Sequence, residues 1–380
     1  HLCDRRQRQM CIRDRYKTVL KSKTSESICT DLKKLGYSTH AVHNNEATFY
    51  GRNTVFSNIG FDTFCSMEYM NGLTDSPNGW SNDDVLSREI MKTLDSTSGP
   101  DFTMAITVQS HGKYDGIALD DPTIQVTGAP EGKEQAYEYY VNEIYEVDRM
   151  IDTLIKELSN RKEETVLVLY GDHLPSLDIQ KDDLSNANLY QTQYVVWDNM
   201  NLKKKTKNLH AYQLYAEVLD RIQIHEGMIT KYHQQTKHRS KLYLTGLTTL
   251  SYDLLYGDNY AYDGENPFKQ TELQMGTEPV KLTSVQKTKS GYRVVGSGFT
   301  PYCKVYYDGT LVESEWISSE CLQLQDEFEL DEADKKDSGE PETEVTEPRD
   351  VPNAFVVEVQ SDDGVVLSST QAYPASQVKK

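Results

Sequence analysis

The chain has 380 residues, a length that fits two domains better than one, and it carries a net charge of -19. A hydrophobic fraction of 37% is lean but sufficient for packed cores, and the acidic balance argues against nucleic acid as a partner. The sequence contains no run of 18 apolar residues, so no membrane-spanning helix is predicted within it.

The first fifteen residues, HLCDRRQRQMCIRDR, show neither a hydrophobic period nor turn signals, and they resemble translated sequencing adaptor. We therefore expect residues 1–15 to be non-native sequence and leave them out of the fold prediction. The alternative interpretation is a basic disordered tail.

Beyond this segment, predicted helices alternate with short apolar strands as far as residue 223. Such alternation is typical of a mostly parallel sheet covered on both faces, so the predicted fold class is doubly wound α/β. The predicted elements are a helix over 26–35 ending at Gly36, a strand ending at His43, a helix capped by Asn82 or Asp83 and ending near 95, a strand over 102–108, a helix over 134–160, a strand ending at Tyr170, a strand over 193–198 and a helix over 210–223.

The helix over 134–160 has the clearest pattern. Its apolar residues recur at spacings of three and four, which places them on one stripe that we expect to face the core. The stripe consists of Tyr140, Ile144, Val147, Ile151, Leu154 and Leu158.

The pattern changes near residue 275 to short alternating strands, which predict a C-terminal all-β sandwich over 275–380. We expect residues 258–274 to be a linker and the acidic stretch 326–350 to be a disordered insertion in the sandwich. Cys303 and Cys321 either form a disulfide within this domain or remain two free thiols.

The strongest chemical signal is Gly171-Asp172-His173, which directly follows an apolar strand. Sites in open α/β sheets lie at the carboxyl ends of strands, and a glycine permits a sharp turn there. Asp172 and His173 together offer an oxygen and an imidazole nitrogen to one divalent cation. The alternative is an aspartate helix cap beside a surface histidine.

Polar residues also follow two other predicted strands. His43 ends one strand, Tyr50 and Arg52 come soon after it, and His111 lies just past the strand 102–108. Arginine binds phosphate through a bidentate fork, and histidine can hydrogen-bond a phosphate oxygen or exchange a proton near neutral pH. An aromatic ring can pack against glycerol or a sugar. We therefore predict that these residues converge with the Gly-Asp-His segment on one pocket.

Four segments occur in the order and rough spacing of a known family: GYSTHAVHNNEATFYGRNTVFSNIGFDTF, NGWSNDDVL, TVQSHGKY and LVLYGDHLP. Over about residues 17–235 the chain resembles the lipoteichoic acid synthases, phosphoglycerol transferases of the alkaline phosphatase and sulfatase superfamily. The resemblance implies a sulfatase-like catalytic domain over 16–257 and a role in lipoteichoic acid biosynthesis. It also implies that Asp172 and His173 ligate Mn²⁺, or another divalent cation such as Mg²⁺.

The same resemblance implies the roles of the other candidates. His43, Arg52 and His111 match residues that contact the glycerol phosphate, and His111 is placed to assist proton transfer. Tyr50 occupies a position where the family often has tryptophan. The C-terminal region looks like an immunoglobulin-like wall module, for which we expect a spacer role.

The implied reaction is a two-step displacement. A metal-activated threonine attacks the phosphorus of the phosphatidylglycerol head group, diacylglycerol leaves, and the hydroxyl of a growing glycerol phosphate polymer then takes the glycerol phosphate. The family's threonine nucleophile and a glutamate ligand lie farther upstream of His43 than Thr24 and Ser25 do. We therefore expect that the N-terminal part of the domain is missing and that the chain by itself is inactive.

The resemblance further implies an extracellular-facing domain at the cell membrane, attached through helices that precede this sequence. The partners are then the phosphatidylglycerol head group, the glycerol phosphate polymer and the membrane surface, without nucleic acid. Two alternatives stay open. One is another phosphotransferase or hydrolase of the superfamily, either sulfatase-like or phosphoethanolamine-transferring, which would need further Asp and His ligands for a second metal. The other is a non-catalytic surface binding protein.

Overall fold

A computed structural model of the chain describes residues 18–238, 240–325, 328–330 and 347–379. The segment 1–15 and most of the predicted insertion 326–350 lie outside the described residues. Within the described part of the chain, no helix combines the length and the apolar character needed to cross a membrane.

The first two thirds of the described chain alternate helices and strands, which confirms the α/β fold class. The helix predicted over 134–160 is observed with the same bounds. In chain order the elements are α1 (Ile28–Lys33), β1 (Ser38–His43), α2 (Arg52–Asn58), β2 (Thr63–Cys65), α3 (Val85–Asp95), β3 (Asp101–Ile106), α4 (Glu134–Asn160), β4 (Val166–Tyr170), β5 (Tyr194–Asp198), α5 (Leu214–Arg221), α6 (Met228–Gln235) and α7 (Tyr243–Leu255).

A parallel sheet positions the first candidate residues. Its strand order is β3-β1-β2-β6, where β6 is Gln274–Met275, and β2 pairs in parallel with both β1 and β6. Helix α1 begins at a capping box made by Ser27 and Thr30 and ends before Gly36, whose φ of 84° reverses the chain into β1. Five of the six β1 residues are buried, so His43 at the end of this strand starts from a fixed backbone.

The strands β4 and β5 differ from the prediction. They form a two-stranded antiparallel sheet with Val166 opposite Asp198, and their side chains are partly exposed, whereas the apolar runs predicted buried strands of a parallel sheet. An apolar run of five residues indicates a strand but does not specify its partner or direction, because parallel and antiparallel ladders accept the same side chains.

The C-terminal region is an antiparallel β structure, as predicted. One sheet has the order β10-β9-β13-β14 with β15 paired to β13, and the other has the order β11-β12-β8-β7. The core includes Val294, Val305 and Phe355, all fully buried. The strands are β7 (Lys281–Thr288), β8 (Gly291–Ser297), β9 (Cys303–Tyr307), β10 (Thr310–Val312), β11 (Ser314–Ser318), β12 (Cys321–Leu324), β13 (Ala354–Gln360), β14 (Val366–Ser369) and β15 (Tyr373–Pro374).

Two details of this region bear on the predictions. Cys303 and Cys321 are both free thiols, so the disulfide alternative does not hold in the structure. Phe328, at the start of the predicted insertion, packs in an aromatic cluster with Tyr292, Tyr307 and Phe355. This part of the segment 326–350 therefore contributes to the core instead of forming a disordered loop.

The described chain forms two compact units. The first contains the residues up to Gly72, Thr93–Met104 and the chain from Leu244 onward; the second contains Leu73–Lys92 and Ala105–Tyr243. The parallel sheet and the C-terminal sandwich thus share the first unit, although the sequence predicts a division at residue 275.

Hydrogen bonds explain why the first unit is not divided there. Within the predicted linker 258–274, Thr271 donates its backbone N–H to Ser57, and Gln274 donates to Asp62 as the chain enters β6. The Thr300 hydroxyl donates to the carbonyl of Glu68 at 2.6 Å. These bonds connect residues far apart in sequence within the first unit, and the domain boundary near residue 275 stays a prediction.

Helix α4 buries a different stripe from the predicted one. Leu154 and Leu158 are buried as expected, but Ile144 is exposed, and the buried line passes through Tyr139 and Glu143 instead. The neighbouring Asn142 shows how polar side chains are tolerated on this buried face of the helix. Its side-chain amide accepts from the N–H of Ile124 and donates to the carbonyl of Ile124.

Candidate active site

His43 and the loop after it form the innermost part of the candidate site in the first unit. His43 is 1% exposed at the carboxyl end of β1. A few residues later, the N–H of Ala47 donates to both carboxyl oxygens of Glu68, at 3.1 and 3.3 Å. Glu68 is fully buried, and this burial raises the pKa of its carboxyl group. The loop that follows His43 is thus anchored to a buried acid that the sequence did not reveal.

Arg52 begins helix α2 directly after a sharp reversal of the chain. Tyr50 and Gly51 both have left-handed backbones, with φ of 62° and 69°. This turn places the rings of Phe49 and Tyr50 4.2 Å apart, and the Arg52 guanidinium lies 5.2 and 5.7 Å from their centroids. Cation–π attraction at these distances restrains the guanidinium. Arg52 is buried, whereas Tyr50 is 44% exposed and presents its ring to solvent.

In the second unit, the loops after β3 and β4 bring His111 and His173 together. Their ring centroids are 6.4 Å apart in an edge-to-face arrangement. Gly112 permits a close approach of the loops, since a Cβ at this position would lie 3.3 Å from the Cβ of Ser176 and from the Tyr114 ring. Asp172 Oδ1 lies 3.7 Å from His173 Nε2, and both side chains are exposed.

Gly171 does not have the role predicted from the sequence. Its φ lies outside the left-handed region, and a Cβ there would meet Thr192 at an ordinary contact distance of 3.6 Å. Its N–H donates to the carbonyl of Gln193, which extends the pairing of β4 with β5. A larger residue is therefore compatible with this backbone.

The two histidines share one tautomer. Nδ1 of His111 lies 2.8 Å from the carbonyl oxygen of Gly112, and Nδ1 of His173 lies 2.8 Å from that of Leu174. Because a carbonyl oxygen only accepts, Nδ1 must donate in both rings. Each neutral imidazole therefore carries its lone pair on Nε2, the atom that would ligate a metal or accept a proton.

A divalent metal fits this donor set in part. The Asp172 carboxylate and the His173 Nε2 are one hard oxygen and one imidazole nitrogen on adjacent residues, the types that Mn²⁺ and Mg²⁺ sites use. Among the residues that the structure describes, no group of three or more His, Cys, Asp or Glu could hold a metal ion. The pair would therefore supply only two ligands, and a divalent metal site would need more.

Comparison with models of known protein families identifies the family to which this chain belongs. Residues 7–224 match the model of the family described as Sulfatase, which is more than half of the chain. The chain belongs to the sulfatase family. The parallel sheet and the strand-end position of Asp172 and His173 are accordingly features of a sulfatase-family domain.

Known relatives resemble parts of this sulfatase-family chain. A protein of Rhizobium meliloti named for cyclic β-1,2-glucan modification is 30% identical over 197 residues, which cover 47% of this chain and 30% of the relative. Lipoteichoic acid synthase 2 of Bacillus subtilis is 22% identical over 197 residues, covering 51% and 30%. The chain thus spans about a third of the length of these relatives.

Solved structures resemble the fold more distantly. The Streptococcus pyogenes phosphoglycerol transferase GacH, in complex with sn-glycerol-1-phosphate, superposes with a TM-score of 0.48 at 19% identity, covering 62% of this chain and 66% of that one. The lipoteichoic acid synthase LtaP of Listeria monocytogenes gives a TM-score of 0.40 at 23% identity, covering 47% and 48%.

Two residues next to His111 were not predicted as site residues. The Trp80 ring meets the His111 ring edge-to-face at 5.2 Å, and the Asn78 amide donates to the His111 carbonyl at 3.1 Å. Ser76 in turn donates to the Asn78 side chain at 2.6 Å. Asn78 and Trp80 both belong to the segment NGWSNDDVL, which the family resemblance had already marked in the sequence. Neither side chain is titratable, so neither was predicted as a site residue.

The candidate residues fall into two groups. His43, Tyr50 and Arg52 lie in the first unit, and His111, Asp172 and His173 lie in the second. The convergence of the two groups on one pocket stays a prediction. Thr24, which lies closer to His43 than the family's nucleophile does, donates its hydroxyl to the carbonyl of Phe268 at 2.8 Å and accepts from Asn266.

Proposed function

We propose that this sulfatase-family chain is part of a metal-dependent phosphoglycerol transferase. It would move glycerol phosphate from phosphatidylglycerol to a cell-envelope polymer or glycolipid acceptor at the outer face of the cell membrane. The observation that carries the proposal is the pair of imidazoles His111 and His173, whose rings lie 6.4 Å apart with Nδ1 of each donating to a carbonyl, and His173 Nε2 lies 3.7 Å from the Asp172 carboxylate. The similarity to a lipoteichoic acid synthase supports glycerol phosphate as the transferred group.

The chain's own residues take distinct roles. Asp172 and His173 would hold the metal, which when bound supplies Lewis-acid stabilisation of the phosphoryl oxygens and lowers the pKa of the attacking hydroxyl. Arg52, restrained by the Phe49 and Tyr50 rings, would bind two phosphate oxygens in a bidentate fork, and His43 would donate a hydrogen bond to the phosphate. His111 Nε2 would accept or return the proton of the reacting hydroxyl. The exposed ring of Tyr50 would pack against the glycerol.

Two ligands hold a divalent ion weakly, because the remaining coordination positions stay with water. We therefore propose that Asp172 and His173 act with further ligands and with a nucleophile outside the described residues. The 380-residue chain alone should then bind Mn²⁺ weakly and show little or no turnover.

Electron paramagnetic resonance of added Mn²⁺ tests the metal site directly, because bound Mn²⁺ loses the signal of the free ion. His173→Ala should abolish the weak Mn²⁺ binding of the chain. His225→Ala is a matched control, since His225 lies 4.0 Å from Asp220 and has a similar exposure to that of His173. Equal Mn²⁺ affinity of the His173→Ala variant and the unchanged chain would contradict the metal site.

Head-group release from phosphatidylglycerol vesicles with Mn²⁺ tests the reaction. The expected result is little turnover by the chain alone, and transfer of glycerol phosphate when the chain is extended by its upstream coding sequence. Robust turnover by the chain that disappears in Thr24→Ala would show that Thr24 is the nucleophile. Release of glycerol phosphate to water without any transfer would identify a hydrolase instead.

A further inference from the structure

A buried carboxyl group lies against Gln109, two residues before His111, in the second unit. This group belongs to Asp83, which is fully buried. The Asp83 carboxylate accepts from the N–H of Val108 at 2.9 Å and from the N–H of Gln109 at 3.3 Å. In return, the N–H of Asp83 donates to Gln109 Oε1 at 2.8 Å. Three hydrogen bonds thus connect the start of α3 to the turn that carries His111.

Glu143 on α4 is a second buried carboxyl group near Gln109, and burial raises its pKa. The connection to the His111 turn is made by the Asp83 hydrogen bonds.

The backbone around His111 is fixed at several further points. The N–H of His111 donates to the carbonyl of Val108 at 2.9 Å, and Tyr114 donates its hydroxyl to the carbonyl of Ser110 at 2.9 Å. The turn over 108–111 therefore has little freedom once Val108 and Gln109 are held by Asp83. Displacing these two amides would move the His111 ring relative to Trp80 and His173.

A buried carboxylate is an unusual way to stabilise a core. Apolar residues of similar size often stabilise an interior equally well or better, because burying a carboxylate removes it from water. The structure places the Asp83 carboxylate where it accepts from two backbone amides of the turn before His111. Its presence is therefore better explained by the geometry of that turn than by the stability of the core.

We propose that Asp83 is a positioning residue for His111, acting through Gln109 and the backbone of the 108–111 turn. The catalytic importance of this positioning rests on the function proposed above, but the positioning itself does not. Asp83 acts by fixing the backbone that carries the His111 ring.

Nuclear magnetic resonance of the full chain, labelled with ¹⁵N and ¹³C at histidine, tests the positioning. His111→Gln assigns the His111 ring signals. In Asp83→Ala, these signals should shift and broaden while the circular dichroism stays unchanged. Asp83→Asn should shift them less, because its Oδ1 can still accept from the Val108 N–H. Asp84→Ala, at the exposed neighbouring aspartate, is the control.

Unchanged His111 signals in a folded Asp83→Ala variant would overturn the proposal. If this variant fails to fold, Gln109→Met provides the same test with nearly the same side-chain volume. In an active form of the enzyme, a variant whose His111 signals shift should lose about 10- to 100-fold in kcat with KM within about threefold. Shifted signals with unchanged kcat would leave the positioning established and refute the catalytic role of His111 instead.

Discussion

The two groups of candidate residues differ in how they are built. In the first unit, His43 is 1% and Arg52 is 9% exposed, and both follow directly from a buried strand and the helix after it. In the second unit, the side chains of His173 and Asp172 are 47% and 79% exposed on a loop. The proposed phosphate-binding groups are therefore part of a core, whereas the proposed metal ligands are not. The difference implies that equivalent substitutions in the two groups have different consequences for folding.

The largest expected effect separates the two groups by stability. Arg52→Ala should lower the free energy of unfolding by about 2 kcal/mol, because it removes a buried side chain and its contacts with Phe49 and Tyr50. Asp172→Ala should change it by less than about 0.5 kcal/mol, because its side chain lies largely in solvent. Urea unfolding followed by circular dichroism measures both.

Arg52→Lys sharpens this test, since it keeps the charge and part of the packing but loses the planar group. We expect it to be intermediate in stability. Equal unfolding free energies for Arg52→Ala and Asp172→Ala would show that the burial of Arg52 contributes nothing to stability, and the contrast between the groups would then fail.

A smaller effect concerns the pH dependence of the first unit. The pKa of Glu68 is raised by burial above its ordinary value of 4.5, so the folded state binds the proton more tightly than the unfolded chain. This contribution to stability is fully present below pH 4.5 and is lost as pH rises through the folded-state pKa. Glu68→Gln removes the titration while its Oε1 can still accept from Ala47.

The expected result is that Glu68→Gln is more stable than the unchanged chain at pH 8, by about 1 kcal/mol, and that the difference disappears at pH 4. Thermal unfolding at several pH values measures this. Glu278→Gln, at an exposed glutamate of the same unit, should show no such pH-dependent difference. A difference of the opposite sign at pH 8 would mean that the Glu68 charge is stabilised by its surroundings.

The sequence predicted features that depend on local pattern. Helix α4 was found because its residues repeat at helical spacing, and the strand preceding Asp172 was found because it is continuously apolar. Pairing was not predictable in the same way, since the antiparallel partner of β4 and the parallel pairing of β6 with β2 depend on residues distant in sequence.

The site was predictable to the extent that its residues have recognisable chemistry. His111, Asp172 and His173 stand out as titratable groups after strands, and the structure brings the two histidine rings together. Asp83 was expected only as a helix cap and Glu143 only as a helix residue, because carboxylates are normally on the surface, and only the fold shows that these two are buried. Trp80 was missed because an isolated tryptophan gives no indication of its neighbour.

The smallest expected effect tests the turn that presents Tyr50. The left-handed backbone of Tyr50 costs about 1 kcal/mol for any residue with a Cβ, and its ring contributes about 0.5–1 kcal/mol through the contact with Arg52. Tyr50→Ala keeps the backbone cost and loses the ring, so it should destabilise the chain by about 0.5–1 kcal/mol. Tyr50→Gly loses both, and the two terms nearly cancel, so its unfolding free energy should stay within about 0.5 kcal/mol of the unchanged chain. Urea unfolding of the two variants side by side measures the backbone strain at Tyr50. If Tyr50→Gly were no more stable than Tyr50→Ala, the turn at Tyr50 would carry no strain, and the exposure of the Tyr50 ring would need another explanation.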